Sequence, residues 1–339
     1  MTAFGWDDHW SSLFSTHADA GLIAGRVTVS HRGAHDVATA HGEVRCEVRG
    51  RLYDEASSPA DLPVVGDWVA LAPLDGETGW IVEALLPRRT RFSRKVAWQA
   101  AEEQVLAANI DVVFVATSLN QDLNPRRLER YLVLARESGA RITILLTKTD
   151  LHPDPVAATA EIQALAGAVP VLAISTREGL GLDAVRALLP PGTTACILGS
   201  SGVGKSTLVN ALVGDEAIAT KEIRSDGKGR HTTSRRELVR LPWGALLIDT
   251  PGIRELQLWV TDDGLDETFA DVVGLFGTCR FSDCAHDAEP GCAVKTALAD
   301  GSLLRERWES YRALEAELEV LARRLDARAQ AATRRGRRR

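Results

Sequence analysis

Hydrophobic and polar positions alternate along the first part of the chain in the manner of a small all-β domain. Short alternating runs at residues 26–30, 44–48, 68–71 and 80–83 are separated by Gly, Pro and Asp. Such runs are typical of half-buried strands joined by tight turns. About five strands in so short a segment predict a Greek-key barrel of the OB type over residues 21–90.

The middle of the chain, residues 91–256, has a different pattern, in which continuous apolar runs are separated by amphipathic stretches. The apolar runs are residues 110–116, 142–146, 169–174, 195–198 and 245–248. Helical stretches, for example residues 126–138 and 182–189, lie between them. Uninterrupted apolar strands between helices predict a parallel sheet that helices cover on both faces.

Helices are predicted at both ends of the chain. Within residues 1–20, Trp6, Trp10 and Phe14 recur every four residues and fit one face of a short docking helix. Residues 257–325 contain a cysteine cluster and then a helix from about residue 303 to 325, and residues 326–339 form a basic tail. The sequence therefore predicts a multidomain α/β protein.

A phosphate-binding motif stands directly after the apolar run 195–198. It matches the pattern G-x-x-x-x-G-K-[ST] in full and consists of Gly199, Ser200, Ser201, Gly202, Val203, Gly204, Lys205 and Ser206, with Thr207 opening the next helical run. Between a strand and a helix, the backbone N–H groups of such a loop surround phosphate oxygens. Lys205 is expected to reach the β- and γ-phosphates and the Ser206 hydroxyl to ligate Mg²⁺. The alternative is a chance glycine-rich turn.

Asp249 and Gly252 belong to the sequence Asp-Thr-Pro-Gly, which follows the apolar run 245–248. An acidic residue at the carboxyl end of a strand beside a phosphate loop can hold the Mg²⁺ shell, and this is the role predicted for Asp249. The Gly252 N–H is predicted to meet the γ-phosphate. A simple turn, which Asp, Pro and Gly commonly form, is the alternative.

The polar, glycine-containing segment 214–236 lies between these two motifs. We interpret it as a switch that becomes ordered when it binds the γ-phosphate and Mg²⁺. Thr232 or Thr233 would supply the switch hydroxyl to Mg²⁺ and the γ-phosphate. His231 has a side chain whose pKa suits proton handling near neutrality. The alternative for the segment is a solvated loop. The alternative for His231 is a contact with phosphate or RNA.

A base-recognition motif, Thr-Lys-Thr-Asp at residues 147–150, resembles the N-K-x-D motif of GTPases. The Asp150 carboxylate can accept two hydrogen bonds from the N1–H and N2–H₂ edge of guanine, and adenine offers no such pair of donors. The Lys148 stem can cover the face of the base. Thr147 stands where Asn is usual, so a hydroxyl replaces an amide, and we expect one loop-tethering contact to be weakened while Asp150 keeps its role.

The order of the motifs differs from that of Ras-like GTPases. Ser175 and Thr176 resemble the short Ser-Ala motif of GTPases, which packs behind the guanine base. They follow residues 147–150 in the chain. Both motifs precede the phosphate loop, whereas in Ras-like GTPases they follow it. The sequence therefore predicts a circular permutation, in which the motifs keep their cyclic order but the chain starts at a different point in that order. Ile253 stands where Ras-like enzymes place a water-orienting Gln, which predicts slow intrinsic hydrolysis.

Three of the five cysteines and one histidine form a cluster near the C-terminus. Its spacing is C-x₄-C-x-H-x₅-C and its members are Cys279, Cys284, His286 and Cys292. Three thiolates and one imidazole complete a tetrahedral shell for one structural Zn²⁺, with no open catalytic position. Buried free cysteines are the alternative. Cys46 and Cys196 lie in apolar runs and are predicted to be core residues.

Composition and charge limit the partners of the chain. The 40 basic and 46 acidic residues give a formal net charge of −6, which disfavours coating of nucleic acid by bulk charge. The barrel segment has seven Arg, no Lys and ten acidic residues, a balance that argues against RNA binding by its whole surface. Residues 323–339 instead contain eight Arg and one acidic residue. We favour contact of this tail with RNA phosphates over a solvated, disordered end.

No export or membrane signal is recognisable in the sequence. The N-terminus lacks a basic stretch followed by an apolar one, and the apolar runs are only as long as strands. Clustered cysteines indicate a metal site in a reducing compartment. We therefore expect a cytoplasmic protein without membrane contact. As a separate expectation, the protein is a monomer.

Together these motifs resemble the circularly permuted, ribosome small-subunit-dependent GTPase A family (RsgA, also called YjeQ). The resemblance covers nearly the whole chain. It rests on the barrel, on residues 147–150 before residues 199–206, on Gly-Arg-His-Thr-Thr at 229–233, on residues 249–252, on the cysteine module and on residues 124–131.

The resemblance implies a bacterial GTPase that acts late in maturation of the small ribosomal subunit and is stimulated by that subunit. It implies GTP or GDP with Mg²⁺ in a permuted Ras-like P-loop domain, and ribosomal RNA contacts through the OB-like barrel and the zinc-binding helical domain. The family also has a hydrophobic residue at the position of Ile253. There are two alternatives. One is a P-loop ATPase or kinase, which Asp150 argues against. The other is an RNA-binding scaffold that holds nucleotide without turnover.

Overall fold

The chain begins with a short helix that packs on the barrel. The structure is a computed structural model, and it describes residues 1–31, 33–74, 79–95, 103–120, 123–214, 236–249, 262–287 and 289–336. Helix α1 (Asp8–Asp19) starts after Asp7, whose carboxylate accepts a hydrogen bond from the Trp10 N–H at 3.1 Å. The prediction that Trp6 shares this helix is wrong, because Asp7 caps the helix after it. The Trp6 ring still meets Trp68 edge-on, with 4.8 Å between ring centroids.

Five strands then close into a barrel. They are β1 (Ile23–Ser30), β2 (Ala34–Thr39), β3 (Gly42–Val48), β4 (Trp68–Pro73) and β5 (Trp80–Leu85). They pair in the order β1-β2-β3-β5-β4, and β4 returns to pair with β1. The β3–β5 pair is parallel and the other pairs are antiparallel. This closed arrangement confirms the predicted OB-like barrel.

The barrel interior is filled mainly by branched side chains from alternating positions. Its fully buried members are Val27, Val37, Cys46, Val69, Leu71 and Val82. Helix α2 (Gly50–Glu55) lies between β3 and β4, and a hairpin of β6 (Arg91–Lys95) and β7 (Glu103–Ala108) follows β5. The apolar runs do not predict β2, because Val37 is its only large apolar residue.

The second part of the fold is a six-stranded sheet in the order β10-β9-β8-β11-β13-β12. Its strands are β8 (Val112–Ser118), β9 (Arg141–Thr147), β10 (Val171–Ala173), β11 (Thr194–Leu198), β12 (Glu237–Arg240) and β13 (Leu246–Asp249). All neighbours are parallel except β12, which is antiparallel to β13. The predicted parallel sheet is confirmed, and β9, β10, β11 and β13 end at the same edge of it.

Helices cover both faces of this sheet, as predicted. They are α3 (Pro125–Glu137), α4 (Pro155–Ala166), α5 (Leu182–Ala187) and α6 (Lys205–Val213). Helices α3 and α4 share one apolar core with the sheet, and α5 and α6 share the core on the other face. Short 3₁₀ helices occupy Thr2–Phe4, Pro59–Asp61, Thr149–Leu151 and Phe276–Thr278.

The barrel and the six-stranded sheet are joined, because β1 also pairs with β12, with Val29 opposite Glu237. The guanidinium of Arg26 strengthens this junction, and Arg26 is only 2% exposed. It donates hydrogen bonds to the Asn109 carbonyl at 3.0 Å and to the Thr194 hydroxyl at 2.9 Å. Burial lowers the pKa of Arg26 to about 10. The barrel is therefore bonded directly to the first residue of β11.

The C-terminal part is helical, as predicted. It comprises α7 (Asp262–Thr268), α8 (Ala270–Val273), α9 (Ala293–Asp300) and α10 (Arg305–Gly336). The expectation that the last helix ends near residue 325 is wrong, because α10 continues through the Ala- and Arg-rich start of the basic tail. The domain limits predicted at residues 20, 90 and 256 stay predictions. Among the described helices, none is both long and apolar enough to span a membrane.

Ion pairs attach this C-terminal part to α3. Glu129 of α3 is 2% exposed, and its carboxylate accepts a 2.7 Å hydrogen bond from Arg307 of α10. The same guanidinium donates to Asp271 of α8 at 2.8 Å. Arg126 of α3 pairs with Glu309 of α10 at 2.7 Å. Helix α3 is therefore the surface on which the C-terminal helices dock.

Candidate nucleotide and zinc sites

The phosphate loop leaves the buried strand β11 at the carboxyl edge of the sheet. Strand β11 lies between β8 and β13, so the loop starts near the middle of the sheet. Gly199 has a φ of +148°, and a Cβ atom there would lie 2.4 Å from the Ala116 carbonyl oxygen of β8. Only glycine fits this close approach. The predicted strand, loop and helix context is therefore present, with α6 beginning at Lys205.

Lys205 folds back over the loop that precedes it. Its ammonium donates hydrogen bonds to the Gly199 and Ser200 carbonyl oxygens, both at 2.6 Å. Ser201, Gly202, Ser206 and Thr207 are exposed, whereas Val203 is buried in the core under the loop. The arrangement leaves the loop and the helix start open to solvent, where an anion can approach them.

Thr147 connects the base-recognition motif to the phosphate loop. It is buried at the end of β9, and its hydroxyl donates a hydrogen bond to the Val203 carbonyl at 2.5 Å. The hydroxyl therefore supplies a direct tether at the position where Asn is usual.

Asp150 and Ser175, from different strand ends, meet beside this tether. Asp150 lies in the 3₁₀ helix after β9, and Ser175 follows β10. The buried Ser175 hydroxyl donates to Asp150 Oδ1 at 2.7 Å, which fixes the carboxylate. Lys148 adopts a left-handed backbone, with φ of 58°, and turns the chain toward Asp150. Thr176 is half-buried next to Ser175. The predicted base-binding residues thus lie together at one edge of the sheet.

The predicted Mg²⁺ and switch residues are described only in part. The backbone of Asp249 ends β13, the strand that pairs with β11, so it lies at the same sheet edge as the phosphate loop. Its side chain lies outside the described part of the structure, as do His231, Thr232, Thr233, Gly252 and Ile253. Coordination of Mg²⁺ by Ser206, Asp249 and a switch threonine stays a prediction.

The tether predicts a specific effect of changing Thr147. Thr147→Val keeps the shape of the side chain but leaves the Val203 carbonyl without this bond. We expect the affinity for a fluorescent GTP analogue to fall about tenfold, the effect of one lost buried hydrogen bond. Thr147→Asn, which restores the usual amide, is expected to bind nearly as tightly as the wild type. An unchanged affinity of the valine variant in the same titration would contradict the role of the tether.

The cysteine cluster forms a second site in the C-terminal part. One ligand atom from each of Cys279, Cys284, His286 and Cys292 lies within 4.8 Å of all the others. The His286 Nδ1 atom is 3.6 Å from the sulfur atoms of both Cys279 and Cys292. Three sulfurs and one imidazole nitrogen are a donor set that suits tetrahedral Zn²⁺. The four residues therefore fit one structural zinc ion.

The surroundings of the cluster also suit a bound metal. The Ala293 N–H donates to Cys279 Sγ at 3.4 Å and lowers the pKa of that thiol, which favours the thiolate. The His286 ring stacks on Phe276, with 4.3 Å between ring centroids. Trp308 of α10 packs against the same core. Sequence spacing alone does not reveal Ala293, Phe276 or Trp308 as supporting residues.

Loss of one zinc ligand is expected to unfold the C-terminal part. Structural Zn²⁺ contributes on the order of 10 kcal/mol to the folding of such modules. Cys292→Ser is therefore expected to abolish the one zinc per chain that elemental analysis should find, and to expose α9 to proteases. The control Cys46→Ala changes a buried barrel cysteine and should keep its zinc. A zinc-free protein whose C-terminal part resists proteolysis would refute the ligand set.

The barrel, the phosphate loop and the order of the strand-end motifs define a circularly permuted P-loop GTPase with a zinc module. A family model described as RsgA GTPase matches residues 85–259. A protein from Opitutus terrae named small ribosomal subunit biogenesis GTPase RsgA is 46% identical over 96% of this chain and 92% of its own length. A protein of the same name from Streptomyces coelicolor is 45% identical over 98% of this chain and 90% of its own. The chain belongs to the RsgA GTPase family.

Solved structures show the same fold. YjeQ from Thermotoga maritima superposes with a TM-score of 0.64 and 26% identity, over 88% of this chain and 99% of that one. YloQ, described as a circularly permuted GTPase, superposes with a TM-score of 0.60 and 24% identity, over 89% of this chain and 96% of that one. The predicted permutation and the prediction of a GTPase are confirmed. GTP or GDP, Mg²⁺ and one structural Zn²⁺ are the cofactors of such a protein.

Proposed function

We propose that this GTPase acts late in biogenesis of the small ribosomal subunit, with slow GTP hydrolysis alone and faster hydrolysis on the subunit. Relatives 45% and 46% identical over most of the chain carry the name small ribosomal subunit biogenesis GTPase RsgA, which supports the pathway and the partner. The observation that carries the proposal is the meeting of the phosphate loop, Thr147 and Asp150 at one sheet edge.

We assign the nucleotide contacts residue by residue. The loop from Gly199 to Ser206 and the start of α6 at Thr207 would cradle the phosphates, and Lys205 would bind the β- and γ-phosphates. Asp150, held by Ser175, would accept the two N–H donors of guanine. Mg²⁺ would neutralise phosphate charge, held by Ser206, Asp249 and Thr232 or Thr233.

The hydrolytic step is the attack of water on the γ-phosphorus of GTP, which yields GDP and phosphate. An aliphatic side chain such as that of Ile253 cannot orient water by hydrogen bonding, which supports slow hydrolysis by the isolated chain. His231 is the candidate for proton handling within the switch. The Gly252 N–H would stabilise the γ-phosphate.

We also propose that ribosomal RNA is contacted mainly through the basic C-terminal end, and that the protein is a monomer in solution. Helix α10 continues to Gly336 and so includes most of the arginine-rich segment that begins at residue 323. Clustered arginines bind phosphates and make such contacts sensitive to salt. The acidic balance of the barrel supports a smaller share for that domain.

GTP turnover with and without purified small ribosomal subunits tests the proposal. We expect small subunits to raise the GTP turnover rate at least about tenfold. For comparison, a protein partner raises the turnover of some P-loop GTPases roughly 10⁵-fold. Large ribosomal subunits serve as the control and should stimulate little. Equal turnover in all three mixtures would contradict the proposal and favour a scaffold that holds nucleotide without subunit-dependent hydrolysis.

A further inference from the structure

A groove of about 1100 Å³ runs between the nucleotide-binding part and the C-terminal part. Helices α3 and α4 line one side, and α7, α8 and the start of α10 line the other. Its apolar lining residues include Leu123, Ile162, Ala164, Leu165, Leu303 and Leu304. Leu304 is 67% exposed, although it is a large apolar residue at the domain junction. An exposed apolar lining of this kind is typical of an interaction site.

The basic side chains of the groove are already neutralised within the chain. Arg126 pairs with Glu309 at 2.7 Å, and Arg136 pairs with Glu267 at 2.9 Å. Arg307, the third arginine of the lining, pairs with two carboxylates, those of Glu129 and Asp271. None of the three guanidinium groups therefore contributes an uncompensated positive charge to the groove.

Two acidic side chains on the groove are uncompensated. Glu161 of α4 and Glu306 of α10 are both exposed, and neither has an ion-pair partner within the described ranges of the chain. They stand on opposite domains, one on each side of the junction. The groove thus combines an apolar floor with a negative rim, which attracts cationic groups and repels phosphates.

We propose that this groove docks a protein segment of the small ribosomal subunit that carries apolar side chains flanked by Lys or Arg. This inference rests on the proposed function, which brings the chain to that subunit. Apolar side chains of the segment would cover Leu304 and Leu165, and its cationic groups would meet Glu161 and Glu306. RNA does not suit the groove, because its phosphates would face the two uncompensated carboxylates. The occupant would touch α4 and α10 together and so hold the two domains in one arrangement.

Charge reversal at the rim tests the affinity that this docking provides. The double variant Glu161→Arg/Glu306→Arg changes two exposed side chains outside the nucleotide and zinc sites. We expect its affinity for small subunits, in the presence of a non-hydrolysable GTP analogue, to fall about tenfold, with basal GTP turnover unchanged. Leu304→Asp should act in the same direction. Asp183→Arg, at a side chain that is 97% exposed on α5, is the charge control and should bind like the wild type.

Photocrosslinking identifies the occupant. A benzophenone side chain at Ala164, inside the groove, is expected to crosslink to a Lys- or Arg-rich segment of a subunit protein. The same group at Val156, which is 79% exposed on α4 and does not line the groove, is the control. Crosslinks from Ala164 to ribosomal RNA, to a second copy of this chain or to nothing would overturn the proposal, as would full affinity of the double variant.

The outcomes for the groove and for the proposed function are distinguishable. A wild-type chain that binds small subunits and is stimulated by them, alongside an unaffected double variant, would overturn the groove alone. A wild-type chain that binds no subunits would overturn the proposed function and the groove's occupant together.

Discussion

Lys205→Ala is expected to lower GTP turnover at least about 100-fold, both alone and with small subunits. The ammonium lies at the start of α6 and bonds two carbonyl oxygens of the phosphate loop, so it stands where the phosphates would bind. Removing one preorganised donor to developing charge costs about 10²–10³ in turnover in other enzymes. Single-turnover measurements with radiolabelled GTP, at enzyme in excess of substrate, would separate this loss from weaker binding.

A folding defect would have a different signature from this loss of chemistry. Lys205→Ala should keep one zinc per chain and an unchanged melting temperature for the C-terminal part, because all four zinc ligands lie in residues 279–292, directly before α9. The matched control is Lys295→Ala, since Lys295 is an exposed lysine on α9. Its turnover should equal that of the wild type. Persistence of turnover in Lys205→Ala would show that the phosphate-loop assignment is wrong.

Five of the six strands of the GTPase sheet coincide with uninterrupted apolar runs and were predictable, whereas β12, which has one buried residue, was not. Strands β8 and β11 consist wholly of buried residues, and such runs are visible as uninterrupted apolar sequence. The hairpin β6–β7 was not predictable in this way. Charged residues interrupt the apolar pattern of β6, as at Arg91 and Arg94. Phe92 of β6 and Leu106 of β7 are nevertheless buried in the core of the sheet, so pairing and core packing together hold the hairpin.

The docking of the C-terminal helices on α3 could not be predicted from the sequence. A glutamate within an amphipathic helix, such as Glu129, fits a solvated face. It is buried because Arg307, 178 residues further along the chain, supplies the opposite charge. The tether at Thr147 is similar, since its acceptor on Val203 is 56 residues away. Motif spacing predicts which residues take part in a site, and only the folded chain shows which atoms meet.

Asp150→Asn is expected to convert the base preference from guanine to xanthine. The carboxylate accepts from both N1–H and N2–H₂ of guanine, whereas an amide offers one acceptor and turns a donor toward N2–H₂. One charge-assisted hydrogen bond becomes neutral and the other is replaced by a donor facing a donor, which together should weaken GTP binding on the order of 10³-fold. Xanthine carries a carbonyl oxygen at position 2, so the amide can donate to it and XTP affinity should rise. Competition between GTP and XTP for a fluorescent nucleotide measures the exchange.

The structure explains why this substitution should leave the fold intact. Ser175 donates to Asp150 Oδ1, and an asparagine keeps an oxygen acceptor at that position. Asp154→Asn is the matched control, because Asp154 caps α4 by accepting from the Ala157 N–H at 3.0 Å and asparagine caps a helix as well. The control should retain the GTP preference of the wild type. If Asp150→Asn also retained it, guanine would be read by other residues, and the meeting of Asp150 with Ser175 would be a structural contact only.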